Sequence, residues 1–117
     1  MSRVCIYHNP RCSKSRQALA LLEEQGDELD VVHYIDTPLD SAALSALLQQ
    51  LGMSARELIR KGEDTYKELN LGNPELSEAE LVQAMVDYPR LIERPIVIRD
   101  GKAIVARPPE RVLELYA

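Results

Sequence analysis

Long apolar runs, a signal-peptide pattern and a basic excess are all missing from this sequence. No run reaches the roughly eighteen apolar residues that a membrane-spanning helix needs, so no membrane span is expected. The first residues lead directly into a predicted strand, and a cytoplasmic protein is therefore expected. The 14 basic side chains are outnumbered by 19 acidic ones, giving a formal charge of −5. Because nucleic-acid binding requires a basic surface, we expect no nucleic-acid partner, although a small local group of arginines remains compatible with these numbers.

The sequence contains only two cysteines, and their positions argue against a disulfide-stabilised protein and against a zinc protein. In a cytosolic chain, Cys5 and Cys12 are more readily explained as catalytic or incidental thiols than as a structural disulfide. The two histidines, His8 and His33, do not combine with these cysteines at the spacing of a zinc site. We therefore expect neither a metal nor a disulfide.

The remaining composition and patterning predict one α/β domain over residues 1–117. The apolar content of 45% and charged content of 28% are typical of globular proteins with one core. A strand at 4–8, a helix at about 13–24 and a strand at 29–34 predict a right-handed crossover with two parallel strands. Asp100-Gly101 predicts a hairpin between two later strands.

Helical patterns fill the segment between these β-containing ends, at about residues 40–90. Asp40 is a predicted cap, and Ser77 begins a capping box with Glu80. Further helices are predicted from Ser54 to Arg60 and at the end of the chain through Tyr116, and a short turn or helix is predicted over Asp64–Leu71. The order predicts a thioredoxin-like fold with a mixed four-stranded sheet and a helical insertion between βαβ and ββα halves.

The turn from His8 to Arg16 contains the best candidate nucleophile, Cys12. A thiol at the start of a helix is acidified by unpaired amide groups and by the helix dipole, and the same amides can hold an oxyanion. Lys14 and Arg16 add positive charge within one turn. Cys5 lies in the middle of an apolar strand, so we interpret it as a packing residue.

Three polar neighbours are candidates for holding the thiolate. His8 ends the first strand and should point toward the turn, where an imidazolium would lower the pKa of Cys12 further. Ser15 and Asn9 can donate hydrogen bonds to the thiolate from opposite sides. His33 has no nearby partner in the sequence and is interpreted as structural.

Two familiar cysteine chemistries are excluded by residues that are absent. A phosphatase loop needs an arginine six positions after the cysteine, and that position is Ala18. A dithiol motif needs a second cysteine three positions on, and that position is Ser15. Any disulfide exchange by Cys12 must therefore use an external thiol.

Three arginines that are distant in sequence are the remaining polar candidates. Arg60 is predicted at the end of an inserted helix, Arg94 precedes Pro95 and the third strand, and Arg107 follows the fourth strand. Singly, each is more easily explained as a surface residue. In thioredoxin-like layouts, however, the segment before the third strand lies against the cysteine turn, often through a cis-proline, and Arg94-Pro95 occupies that place.

The motif His8-Asn-Pro-x-Cys12-x-x-Ser15-Arg16, followed by Arg60, Arg94-Pro95 and Arg107, resembles the glutathione/glutaredoxin-coupled arsenate reductase family over essentially the whole chain. The resemblance implies that Cys12 is the nucleophile and that His8 and Ser15 help to hold the thiolate. It further implies that an arsenic oxyanion is bound by Arg60, Arg94 and Arg107, and Asn9 is added to these substrate contacts. Arg11, Ser13 and Lys14 are more basic than the small residues of better-known members.

The activity implied by this resemblance is reduction of arsenate to arsenite through a covalent adduct on Cys12. Glutathione would be the co-substrate and glutaredoxin the protein partner, with no bound cofactor, and we expect a monomer. Two alternatives stay open: a thioredoxin-fold redox-sensing transcriptional regulator, and a glutathione-dependent thiol enzyme with another substrate. Ser15 disfavours the regulator, since such proteins typically carry two cysteines at this turn.

Overall fold

The computed structural model describes residues 3–36 and 39–116. Contacts divide the chain into two compact units, one formed by Met1–Thr37 with Arg94–Ala117 and the other by Pro38–Glu93. None of the helices described in these ranges is long and apolar enough to cross a membrane.

The first unit contains a mixed four-stranded sheet with the order β2-β1-β3-β4. Its strands are β1 (Arg3–Tyr7), β2 (Glu28–Val32), β3 (Ile96–Arg99) and β4 (Lys102–Val105). β1 is parallel to β2 and antiparallel to β3, which is antiparallel to β4. The predicted mixed sheet is confirmed. The second strand ends at Val32, so His33 lies beyond it and not within it as predicted.

One face of this sheet is covered by α1 (Ser13–Gln25) and by a 3₁₀ helix, Pro109–Tyr116. The predicted last helix is thus present in the tighter 3₁₀ form. Alternate residues of β1 point to this face. There they form a core with apolar residues of both helices, of β3 and of the position after β4: Val4, Ile6, Ala18, Leu22, Val97, Ala106, Val112 and Leu115. This packing fixes α1 against the sheet and so positions the turn between β1 and α1.

Residues with left-handed backbone conformations lie at the predicted end of α1 and at the predicted hairpin turn. Gly26 has φ of 80° at the C-cap of α1, and its N–H donates to the carbonyl of Glu23. In the β3–β4 hairpin, Asp100 has φ of 51° and Gly101 has φ of 80°. Positive φ at both central residues is the pattern of a type I′ turn, which matches the twist of the flanking strands.

The last residues of the 3₁₀ helix are joined to the start of β2 by a small polar group. The Asp27 carboxylate accepts hydrogen bonds from Arg99 Nε at 3.1 Å and from the Tyr116 hydroxyl at 2.8 Å. The Arg99 guanidinium also stacks over the Tyr116 ring, 4.1 Å from its centre. Burial and the hydrogen bond to Asp27 raise the pKa of Tyr116 to about 12.

The second unit is helical. It contains α2 (Ser41–Leu51), α3 (Ala55–Leu58), α4 (Asp64–Glu68), α5 (Glu78–Asp87) and a 3₁₀ turn, Pro89–Leu91. The predicted caps are confirmed: Asp40 accepts from the Ala43 amide at 2.7 Å, and Ser77 and Glu80 form a capping box.

The helix predicted from Ser54 to Arg60 is shorter than expected. It ends at Leu58, and Ile59 adopts an extended conformation (φ −70°, ψ 137°) that pairs antiparallel with Ile92. The Arg60 N–H donates to the Leu91 carbonyl at 2.7 Å, so the bridge supplies backbone hydrogen bonds that a longer helix would have made. Arg60 therefore lies in an extended segment beyond the helix, which corrects its predicted position.

Candidate active site

Cys12 is the N-cap residue of α1, with extended backbone angles of φ −95° and ψ 122°. Its side chain makes no conventional capping hydrogen bond, since a neutral thiol is a weak acceptor. The amide N–H groups of Lys14 and Ser15 nevertheless interact with the sulfur. Burial alone would raise the pKa of Cys12, but these amides and the Arg94 side chain outweigh it, so the pKa is lowered. The direction agrees with the expectation from the sequence.

Arg94 is the cationic side chain that reaches the thiol. It precedes Pro95 through a cis peptide bond at the start of β3, which lies beside β1 in the sheet. Its guanidinium donates a hydrogen bond to Cys12 and helps to lower the pKa of the thiol. Burial opposes the charge of Arg94, but Cys12 and Tyr34 reverse this effect and raise its pKa. The placement of Arg94-Pro95 against the cysteine turn is as predicted.

The side chain of Arg107 contacts the backbone of Arg94. Its Nη1 donates to the Arg94 carbonyl oxygen at 3.2 Å, and Arg107 is followed by a second cis peptide bond, to Pro108. Two of the three predicted oxyanion-binding arginines are thus brought together. Arg94 contacts the Cys12 side chain, and Arg107 contacts the backbone carbonyl of Arg94.

His8 and Ser15 form a buried pair beneath the cysteine turn. His8 is 4% exposed and Ser15 is fully buried, and the His8 Nδ1 lies 2.6 Å from the Ser15 Oγ. The Asn9 N–H donates to the same hydroxyl oxygen at 3.1 Å. The Ser15 hydroxyl therefore connects the end of β1 to α1, and the contact of Ser15 with Cys12 is made by its backbone amide.

The surroundings of His8 do not favour an imidazolium, which would have lowered the pKa of Cys12 further. Burial lowers the pKa of His8, and His33 and Arg16 lower it further, so the neutral ring is favoured. The His33 ring, which the sequence left without a partner, contacts His8 edge-on with 5.8 Å between ring centres. The groups that lower the pKa of Cys12 are the α1 amides and Arg94 rather than a charged histidine.

The Asn9 side chain makes one contact within the turn. Its Oδ1 accepts a hydrogen bond from the Arg11 N–H at 3.0 Å, closing a local turn. Asn9 thereby shapes the backbone before Cys12, and donation from its amide nitrogen to the thiolate stays a prediction.

Arg60 belongs to the helical unit, where two carboxylates hold it. Its Nη1 lies 3.0 Å from Glu93 Oε1, and its Nε lies 3.6 Å from Glu63 Oε1. Arg60 and both carboxylates are partly exposed to solvent. Its convergence with Arg94 and Arg107 stays a prediction.

Tyr34 is a site residue that the sequence did not reveal. Its side chain is 1% exposed and interacts with the Arg94 guanidinium, contributing to the raised pKa of that arginine. The sequence signal was weak, because a tyrosine after a β-rich run is typical of a core residue.

Cys5 differs from Cys12 in its place in the fold and in the direction of its pKa shift. It lies within β1 and is half-buried, and burial followed by the charge of Asp30 raises the pKa of its thiol. Cys5 is thus the less reactive thiol at neutral pH. Among residues 3–36 and 39–116, no three side chains of His, Cys, Asp or Glu are grouped so as to hold a metal ion.

A mixed sheet, a cysteine at the start of the first helix and a cis-proline before the third strand define a thioredoxin-like protein with one reactive thiol. Its pairing of an acidified thiol with a guanidinium suits attack on an oxyanion. The ArsC family model matches residues 7–115. The chain belongs to the ArsC family.

Individual relatives span nearly the whole chain. The uncharacterized protein YfgD of Escherichia coli K12 is 62% identical over 114 residues, covering 97% of this chain and 96% of its own length. The arsenate reductase of the same strain is 38% identical over 115 residues, covering 98% and 82%. An arsenate reductase structure from Vibrio cholerae superimposes with a TM-score of 0.94 at 51% identity, covering 97% and 98%. The thioredoxin-like fold is thereby confirmed.

Proposed function

We propose that this protein reduces arsenate to arsenite through a covalent adduct on Cys12, with glutathione and glutaredoxin supplying the electrons. The observation that supports this most directly is the hydrogen bond from Arg94 to a thiol whose pKa is already lowered by the α1 amides. A thiolate and a guanidinium in contact supply the nucleophile and the cation that binds its oxyanion substrate. Family membership supports the same activity.

In the first step, the Cys12 thiolate attacks the arsenic atom of arsenate. A sulfur–arsenic bond forms and one oxygen leaves as water after protonation. Arg94 is proposed to hold the equatorial oxygens, with Arg107 and Arg60 as further oxyanion contacts. The planar fork of a guanidinium matches two oxygens at once, which a lysine ammonium does not.

In the reductive steps, two external thiols provide two electrons and two protons. A second oxygen is lost as water when the first thiol adds, the second thiol reduces arsenic from the +5 to the +3 state, and the two thiol sulfurs become a disulfide. One water then cleaves the sulfur–arsenic bond, which releases arsenite and restores the Cys12 thiol. We propose glutathione as the first thiol and glutaredoxin as the second, because the chain places Ser15 where a dithiol enzyme would have a resolving cysteine. A supply of reduced thiols fits the proposed cytoplasmic location. We further propose that the monomer is active.

His8, Ser15 and Asn9 are proposed to act by positioning. The hydroxyl of Ser15 receives the Asn9 N–H and lies against His8, which fixes the backbone amide that faces Cys12. Their contribution to thiolate stability therefore passes through the backbone of α1.

The experiment is arsenate-dependent NADPH consumption by the full chain with glutathione, glutaredoxin and glutathione reductase. Turnover that is lost on omitting arsenate or in Cys12→Ser supports the proposal. No turnover by a protein whose Cys12 still reacts as a thiolate would contradict it.

A second candidate, a glutathione-dependent thiol enzyme acting on another oxyanion, is favoured by the relatives. The chain is 62% identical to YfgD but 38% identical to the arsenate reductase of the same strain, so that strain contains two proteins of this kind. Two such proteins in one strain are compatible with different substrates. The same coupled assay with selenate or chromate in place of arsenate distinguishes the two candidates.

A further inference from the structure

Positive charge is concentrated at the start of this acidic protein. The chain has a formal charge of −5, yet its first acidic residue is Glu23. Four basic side chains precede it: Arg3, Arg11, Lys14 and Arg16. Three of these four lie within four residues of Cys12.

The charges on α1 are opposite to those that favour a helix. Its first turn contains no acidic residue, although it includes Lys14, and its last turn contains Glu23 and Glu24 without a basic residue. Because the N-terminal end of a helix dipole is positive, cations there are destabilising and anions stabilising. The positive charge next to Cys12 therefore has no explanation in the stability of the helix.

Of the three cations near Cys12, one forms a hydrogen bond within the turn and the other two are exposed to solvent. Arg16 Nη1 donates to the Pro10 carbonyl at 2.8 Å. Arg11 and Lys14 are exposed, and within residues 3–36 and 39–116 neither forms an ion pair with a carboxylate. We call these two side chains the basic rim.

The basic rim is not the group that binds the thiol itself. The side-chain hydrogen bond to Cys12 comes from Arg94, and Lys14 contributes through its backbone N–H. The rim side chains are exposed on either side of Cys12 in the sequence, whereas Cys12 is partly buried. Their charges are therefore presented to a molecule that approaches Cys12 from solvent.

We propose that Arg11 and Lys14 bind the carboxylates of the thiol co-substrate, glutathione, as it approaches Cys12. The inference rests on the proposed function for the identity of that thiol. Glutathione carries two carboxylates and one ammonium group, so two exposed cations on either side of Cys12 in the sequence complement its charge. Exposed pairs of this kind are screened by salt, and their main effect is on the rate of encounter.

The test uses a step that needs no arsenate. In a Cys5→Ser protein, the Cys12 thiolate attacks glutathione disulfide, forming the Cys12–glutathione disulfide and releasing one glutathione thiolate. The same protein is reacted with bis(2-hydroxyethyl) disulfide, which is neutral. Intact-protein mass spectrometry gives both rates, and their ratio cancels any change in the thiolate fraction of Cys12.

The test variant is Arg11→Gln/Lys14→Gln. Lys102→Gln is the control for removing a positive charge elsewhere on the protein. Lys102 is exposed in the same unit and pairs with Arg99 at the end of the sheet opposite the cysteine turn. We expect the ratio of rates to fall about threefold to tenfold in the double variant, the size expected for two exposed charge pairs. The ratio should be unchanged in Lys102→Gln, and the wild-type ratio should fall as salt is added.

Equal ratios in the double variant and the wild type would overturn the proposal. If the ratio is unchanged but reduction of the mixed disulfide by glutaredoxin slows, the basic rim is a contact for the protein partner, and the glutathione assignment is wrong. Because arsenate is absent throughout, a failed arsenate assay leaves this result standing. If wild-type arsenate turnover is normal and the double variant keeps the wild-type ratio of rates, the role of the basic rim is rejected and the proposed function is not.

Discussion

The Ser15 hydroxyl oxygen lies 2.6 Å from Nδ1 of His8 and also receives the N–H of Asn9 at 3.1 Å. Both the serine and the histidine are buried, so these hydrogen bonds are shielded from water. The group joins the end of β1 to the first turn of α1. Its direct effect is on the shape of the turn, and its effect on the Cys12 thiol passes through the Ser15 amide.

Replacement of Ser15 by alanine should destabilise the fold by about 1–3 kcal/mol, because it leaves the Asn9 N–H and the His8 ring without their buried partner. Ser13→Ala is the matched control, since Ser13 is exposed two positions earlier on the same helix. We expect the control to change the free energy of unfolding by less than about 0.5 kcal/mol. Denaturant unfolding of both variants measures the difference, and similar values would show that the buried group contributes little.

Loss of the Cys12 thiol should abolish arsenate reduction, whereas Cys5→Ser should keep most of it. The structural reason is that Cys12 has a lowered pKa at the start of α1, while burial raises the pKa of Cys5 within β1. The coupled NADPH assay compares the two variants. Comparable losses of activity in both would contradict these separate roles.

Removal of the Arg94 charge should raise the pKa of Cys12. Arg94→Gln takes away a guanidinium that stabilises the thiolate, so the thiolate should form at higher pH than in the wild type. Arg107→Gln is the comparison, because Arg107 reaches the Arg94 carbonyl and not the sulfur in the contacts described. We expect a smaller shift in that variant. Ultraviolet absorbance of the thiolate followed against pH measures both, and an equal shift would show that the two arginines act on the thiol alike.

Tyr116 should make stability fall at alkaline pH. Its folded pKa of about 12 lies above the ordinary value of ~10, so folding favours the protonated hydroxyl. The stabilisation is therefore complete below pH ~10 and is lost as the pH rises toward 12. Tyr116→Phe lacks this titration and should lose less stability across that interval. Thermal unfolding of both proteins at pH ~9 and ~11.5 tests the sign, which is wrong if the two lose stability equally.

Much of the fold was predictable because its signals are local. The capping residues Asp40 and Ser77 and the turn Asp100-Gly101 act through hydrogen bonds or backbone angles within a few residues. The helix predicted through Arg60 was wrong because its end depends on a distant strand-like segment. Ile59 pairs with Ile92, and nothing in the local sequence shows that this partner is present.

The candidate site was predictable only in part. Cys12 could be found because a reactive thiol needs a helix start and nearby cations, which are adjacent in the sequence. Tyr34 was missed, since its contact with Arg94 joins residues that are sixty positions apart. The direction in which the pKa of His8 shifts could not be read from the sequence, because burial, which lowers that pKa, is a property of the folded protein.

By itself, the sequence determined the candidate nucleophile, the absence of a second thiol at Ser15 and the order of strands and helices, because each depends on residue identity and short spacing. The tertiary structure decided which cation meets the Cys12 sulfur, what the Ser15 hydroxyl contacts and in which direction the pKa of His8 shifts. Those outcomes depend on burial and on contacts across the sheet, which exist only once the strands have paired.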